Sequence, residues 1–192
     1  MPERRNIDSP AEQRELLAHA RATAVRALGG TPDRGHEKPE VTGRFGGAFV
    51  TFWKGKTLRG CVGTFSPTSD IASTIADMTR ASLSDSRFAA NPVTADELQD
   101  LEIEISILSD PEVTDNPAAL IPGEHGIIVR RGGQSGCFLP KVASERGWSA
   151  EAFLSNCCTM KAGLPSDAWR EPDAEVRLFT AQAFSESKLS DG

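Results

Sequence analysis

Apolar and polar positions along this chain follow two different periods, and the switches between them delimit its elements. Leu16, Leu17, Ala20, Ala24 and Leu28 recur at helical spacing. Ser9-Pro10-Ala11-Glu12 opens that segment as a capping box with proline at the first helical position, and Gly29-Gly30 closes it. Residues 31–46 mix charges with glycines and prolines and read as a loop. Residues 48–54 are aromatic and β-branched, and Gly55-Lys56 turns them back into residues 57–65, which predicts a β-hairpin. Ile71, Ile75, Met78 and Ala81 or Ser82 return to helical spacing, with Ser69 or Asp70 as the cap.

Thr94-Ala95-Asp96-Glu97 is a second capping box and predicts a short helix of about two turns. Residues 101–107 alternate strictly, as in a strand with one solvated and one buried face. Residues 126–131 and 137–139 predict a second hairpin around residues 132–136. A helix follows Pro140 and ends near Gly147; Ser149 caps another that carries Phe153, Leu154 and Cys157 or Cys158 and ends at Gly163. Residues 176–181 form a last strand, and the tail after Glu186 is polar and frays. Strands come as hairpins and meanders rather than in βαβ alternation. The expected fold is therefore α+β, with an antiparallel or mixed sheet flanked by helices.

A length of 192 residues allows one domain, or one domain carrying a smaller lobe, with a core that needs no disulfide or metal staple. The absence of Tyr, an aromatic content of 6% and a net charge of −6 argue against nucleic-acid binding, which needs stacking surfaces and a basic stripe. No apolar run reaches the roughly 18 residues a membrane span requires, and no apolar segment follows the charged opening residues. A cytoplasmic protein without membrane contact is expected. Cysteines at 61, 137, 157 and 158 show no CxxC spacing, and His19, His36 and His125 lie far apart. Neither a disulfide framework nor a zinc site nor any other cofactor is expected.

The stretch most suggestive of chemistry is Leu58-Arg59-Gly60-Cys61-Val62-Gly63. On a regular strand Arg59 and Cys61 project from one face, roughly 6–7 Å apart. Gly60 and Gly63 would bring bare backbone N–H groups up to a small or anionic group. Cys61 is either a thiolate nucleophile or ligand, or a small packed hydrophobe. Arg59 is an anion clamp or a structural anchor; Arg87, before Phe88, carries the same ambiguity and leans structural. His125 is a candidate general base for Cys61, although histidines in turns are common. Cys157 and Cys158, adjacent on a helix and so about 100° apart, read as core rather than as a soft-metal or redox pair. The glycine-rich residues 132–136 read as a hairpin tip, not a phosphate loop.

Taken in order, the motifs continue through Ser86-Arg87-Phe88, Glu104-Ile105-Ser106-Ile107-Leu108, Gly123-Glu124-His125-Gly126-Ile127, Leu139-Pro140-Lys141-Val142, Trp148 and Lys161-Ala162-Gly163-Leu164-Pro165. The chain resembles the AMMECR domain family, also labelled AmmeMemoRadiSam system protein A, over residues 10–186, with residues 1–9 and 187–192 as polar tails. The resemblance implies two lobes with the Arg-Gly-Cys element facing a groove between them. It implies no established activity, and an association with a Memo-family protein and a radical S-adenosylmethionine enzyme. The chain departs from the family at Lys141, where Gln is usual, and at Ser86, where Pro is usual. The Cys before Lys161 is displaced to positions 157–158. Binding candidates are Arg59, Gly60, Gly63, Arg87 and Lys141. Two readings remain. One is an accessory component that docks a partner protein or small-molecule ligand beside Arg59 and Cys61. The other is an enzyme with Cys61 as nucleophile or redox thiol, Arg59 holding an anionic substrate and His125 as base. The first is preferred, because no complete set of acid, base and nucleophile assembles.

Overall fold

The computed structural model describes residues 6–32, 38–67 and 70–190. The first five residues, the middle of the 31–46 loop with His36, Ser69 as the alternative cap and the last two residues of the tail lie outside that range. The elements in chain order are α1 (Pro10–Ala27), β1 (Gly47–Lys54), β2 (Thr57–Thr64), α2 (Ile71–Leu83), α3 (Ala95–Leu98), β3 (Glu102–Leu108), β4 (Glu112–Val113), β5 (Gly126–Arg131), β6 (Gln134–Phe138), α4 (Pro140–Arg146), α5 (Ala150–Cys157), β7 (Glu175–Phe179), β8 (Ala181–Ser185) and α6 (Glu186–Ser190). They divide into two compact units, Met1–Leu108 with Gln182–Gly192, and Ser109–Ala181. Each contains one antiparallel four-stranded sheet, ordered β2-β1-β3-β8 in the first and β4-β7-β5-β6 in the second. The fold is α+β.

The first unit follows from the strand period. In β1, Ala48, Val50 and Phe52 share one face; Val50 stands opposite Ile105 and Phe52 opposite Ile103 on β3. That face meets Leu16, Leu17, Ala20 and Ala24 of α1 and Ile71, Ala72 and Ile75 of α2 in one core. Each fully buried large side chain there, such as Phe52 or Ile105, contributes about 1.5–3 kcal/mol. The predicted caps hold: Ser9 Oγ accepts the Glu12 N–H of α1, and Asp70 accepts the Ser73 N–H of α2. On the other face of the sheet Thr51 stands opposite both Cys61 and Glu104.

Several expectations need correction. Within residues 6–9, Ile7 is fully buried and its backbone exchanges hydrogen bonds with the Gln182 side chain. Among the described residues of the tail, 186–190 form α6, and the Glu186 carboxylate holds Arg21 and the Ile103 N–H. The strand expected at 176–181 divides at Thr180, β7 joining one sheet and β8 the other. The helix expected to run from Ser149 to Gly163 is α-helical only to Cys157 and ends in a π turn, Cys158–Ala162, stopped by Gly163 at φ 67°. The tip of the second hairpin is only Gly132-Gly133, both at positive φ, and Gln134–Gly136 already belong to β6.

Gly60 determines how α2 meets the sheet. A Cβ there would lie 2.2 Å from the Ser82 carbonyl oxygen, so the helix backbone rests directly on β2. Gly60→Ala forces helix and strand apart, and a loss of about 2–3 kcal/mol in urea unfolding is expected. Gly55→Ala, where the space is open but φ is +57°, should cost about 1 kcal/mol, the ordinary cost of a left-handed residue. Equal stability of Gly60→Ala and the parent chain would contradict this packing.

Candidate functional site

β2 is an edge strand, and an edge strand offers unpaired N–H and C=O groups to water or to another chain. At Cys61 these groups are taken by side chains. Ser82, on the last turn of α2, accepts the Val62 N–H (2.9 Å) and donates to the Val50 carbonyl (2.8 Å), bridging β1 and β2. That anchors the end of the helix against the strand and brings Asp85 to its outer edge. The Cys61 N–H donates to Asp85 Oδ2 at 3.0 Å, and Arg87 Nη2 donates to the Cys61 carbonyl at 2.9 Å. Arg87 also grips the same carboxylate, Nη2 to Oδ2 at 2.6 Å and Nε to Oδ1 at 3.0 Å. A guanidinium–carboxylate pair thus stands in for a strand partner at one residue. Such charge-assisted bonds are about twice as strong as neutral ones.

Asp85 is buried, and Arg87 first, then the Cys61 N–H, holds its carboxyl down to about 2. The Arg87 guanidinium is raised chiefly by its hydrogen bond to Asp85. The sulfur has a partner in the Thr51 hydroxyl on β1, which donates to Cys61 Sγ at 3.1 Å. Cys61 is half-buried, while the Arg87 side chain is 53% exposed.

Of the two roles left open for Arg59, its contacts are those of an anchor. A β-bulge leaves it as the extra residue, since Trp53 pairs with Leu58 and Phe52 with Gly60. Arg59 is 7% exposed, and its guanidinium donates to both Glu97 oxygens at 2.8 Å and to the Asn91 carbonyl at 3.1 Å. Those bonds raise Arg59 and lower Glu97. The two arginines flank Phe88, whose ring lies 5.9 Å from the Arg59 guanidinium and 5.7 Å from that of Arg87. Arg59 is the anchor, and Arg87 is the cation beside the thiol. Gly60 and Gly63 do not open the backbone to a ligand either. The Ser82 backbone fills the space at Gly60, and the Phe49 ring lies over Gly63, 2.2 Å from where a Cβ would stand.

The remaining candidates belong to the second unit. His125 Nδ1 accepts the Ile121 N–H at 2.9 Å and its own N–H returns to the Ile121 carbonyl, which closes the turn before β5. Lys141 is the second residue of α4 and half-buried. Cys157 and Cys158 are core residues; burial pushes the Cys157 thiol up to about 12 and raises Cys158 as well. Among the described residues no three His, Cys, Asp or Glu side chains converge as a metal cage, and no helix is long and apolar enough to cross a membrane.

With this geometry established, comparison with known proteins is decisive: the AMMECR1 family model matches residues 17–184. The chain belongs to the AMMECR1 family. Among its relatives, an uncharacterised protein of Methanothermobacter thermautotrophicus is 38% identical over 187 residues, covering 91% of this chain and 94% of its own. One from Methanopyrus kandleri is 41% identical over 153 residues, covering 74% and 72%. The crystal structure of an uncharacterised protein from Pyrococcus horikoshii superposes with a TM-score of 0.76 at 34% identity, over 89% of both chains.

Within this AMMECR1 chain, sequence reasoning missed Asp85, Ser82, Thr51 and Glu97. Asp85 left a trace, an Asp-x-Arg spacing directly after a helix end, which is the local pattern of a carboxylate capping a turn. The clamp carries a pH signature. The Asp85 carboxyl falls from 3.8 unfolded to about 2 folded, so its stabilisation is complete above pH 4 and disappears as pH falls from about 4 to 2. Urea unfolding should show on the order of 2 kcal/mol lost through this group across that window. Asp85→Asn should be less stable at pH 7 and lack that part of the decline. Identical declines in both proteins would contradict the clamp.

Proposed function

We propose that this AMMECR1 chain is an accessory binding component, without catalytic turnover of its own, in a cytoplasmic pathway with a Memo-family protein and a radical S-adenosylmethionine enzyme. Its docking point is the surface around Cys61 and Arg87, where an anionic group of a partner or small ligand engages the exposed guanidinium. The observation that carries this reading is the contrast between the immobilised Cys61 peptide and the half-exposed Arg87 next to it. A rigid thiol beside an accessible cation suits recognition, because little freedom is lost on binding.

The alternative, Cys61 as a nucleophile or redox thiol, draws on the Thr51 O–H donating to its sulfur. The hydrogen bond to that sulfur comes from a hydroxyl and not from a base. Asp85 titrates near 2 and is too weak a base to deprotonate a thiol. His125 commits Nδ1 to its own turn.

Capture of a Memo-family protein and of a radical S-adenosylmethionine enzyme, with the tagged chain as bait, tests the docking surface. Arg87→Glu should reduce recovery at least tenfold, and Arg87→Lys, which keeps the charge, should retain most of it. Unchanged recovery with Arg87→Glu, in a protein that remains folded, refutes the surface. Turnover of any substrate that disappears in Cys61→Ser would favour the enzyme reading instead.

A further inference from the structure

A histidine that the docking surface does not use stands at the seam where α1 packs against α2. His19, on α1, is 8% exposed, and both of its ring nitrogens are sealed from water without a hydrogen-bond partner among the described residues. The polar group its ring approaches is the backbone of Ala72, in the first turn of α2. An unbonded neutral ring is costly in such a place, and an unpaired imidazolium far more so. Burial accordingly lowers the pKa of His19; the Ala72 backbone offsets part of this, and Arg26, Lys38 and Arg80 lower it further. The start of a helix, with its partial positive charge, is also a poor neighbour for a cation.

The carboxylates around the seam are committed to other groups. Asp70 caps α2 two residues before Ala72, and its oxygens accept from Lys38 at 2.7 Å and from the Ser73 N–H and hydroxyl at 3.0 Å. Held down to about 2, it stays charged through mild acid. Asp77 of α2 holds Arg80 at 3.0 Å. On the other elements packed against α1, Glu97 of α3 holds Arg59, Glu102 of β3 accepts from Ser187 and Glu186 of α6 holds Arg21. Glu15, one turn before His19 on its own helix, is exposed. We propose that His19 is a pH-sensitive latch: its neutral ring lets α1 lie on α2, and a proton taken up in mild acid draws water to the ring and loosens the seam. An adjoining cavity of about 580 Å³, lined by Thr23 one turn along α1 and by Arg80 and Leu83 of α2, gives the helices room to part. A base that titrates below its ordinary 6.5 in the fold costs nothing above pH 6.5, and the closed seam loses stability as pH falls from there toward the folded value.

The test follows the His19 ring by proton NMR, and amide protection along the whole chain, from pH 7.5 to 5, with His19→Gln as the non-titrating variant. The expected ring midpoint lies below 6.5. Protection corrected for intrinsic exchange should fall along the same curve at residues 19–24 and 72–76. The loss is about eightfold for a ring that titrates one pH unit lower in the closed seam than in the open one. The Val50 and Ile105 amides should stay protected, and His19→Gln should show no such loss. A ring midpoint at 6.5 or above overturns the proposal, as does seam protection that is constant with pH, a loss shared by Val50 and Ile105, or an equal loss in His19→Gln. The ring midpoint and the seam amides are read on the parent chain, so the outcome stands even where the variant fails to fold. None of these readouts depends on partner capture through Arg87.

Discussion

The backbone of one residue on an edge strand organises the first unit. The N–H and C=O of Cys61 point away from β1, where no strand follows, and the Asp85–Arg87 pair takes both. A buried carboxylate is tolerable only when it is fully bonded. Asp85 meets that condition by accepting from two backbone N–H groups and from the guanidinium. The arrangement depends on two upstream features: Gly60, which lets α2 lie directly on the strand, and the Ser82 hydroxyl, which bridges the strands at Val50 and Val62. Removing either changes where Asp85 arrives.

The same residue type serves two purposes a few ångströms apart, and burial decides which. Arg59 is enclosed, bidentate to Glu97 and bonded to the Asn91 carbonyl, so it ties α3 and its preceding loop to β2. Loss of one member of such a pair strands a buried charge, at a typical cost of 3–5 kcal/mol. Arg87 spends part of its donor set on Asp85 and Cys61 and presents the rest to solvent. Charge available for recognition therefore sits on the residue that sequence spacing ranked second.

The reason lies in the hairpin register. Counting outward from Gly55-Lys56 places Phe52 opposite Arg59 and Thr51 opposite Gly60, with Arg59 and Cys61 on a common face. The bulge at Arg59 moves Thr51 opposite Cys61 and frees the arginine to run toward Glu97. A bulge leaves no mark in hydrophobic periodicity. Helix starts were readable because capping is local, and the β3 strand because its alternation is strict. The β8 strand was not, since Ala181-Gln182-Ala183 gives almost no apolar signal and its place is fixed by pairing within the sheet. Asp85 and Ser82 were invisible as site residues for a similar reason: their importance comes from where α2 ends in space.

Hydrogen exchange of the Cys61 amide tests the central claim most directly. If the carboxylate replaces a missing strand, that amide is protected well beyond an exposed edge amide, and Asp85→Ala accelerates its exchange by at least a hundredfold while the Val50 and Ile105 amides in the sheet interior remain slow. Rapid exchange of Cys61 in the parent chain, or protection that survives Asp85→Ala, would contradict the account.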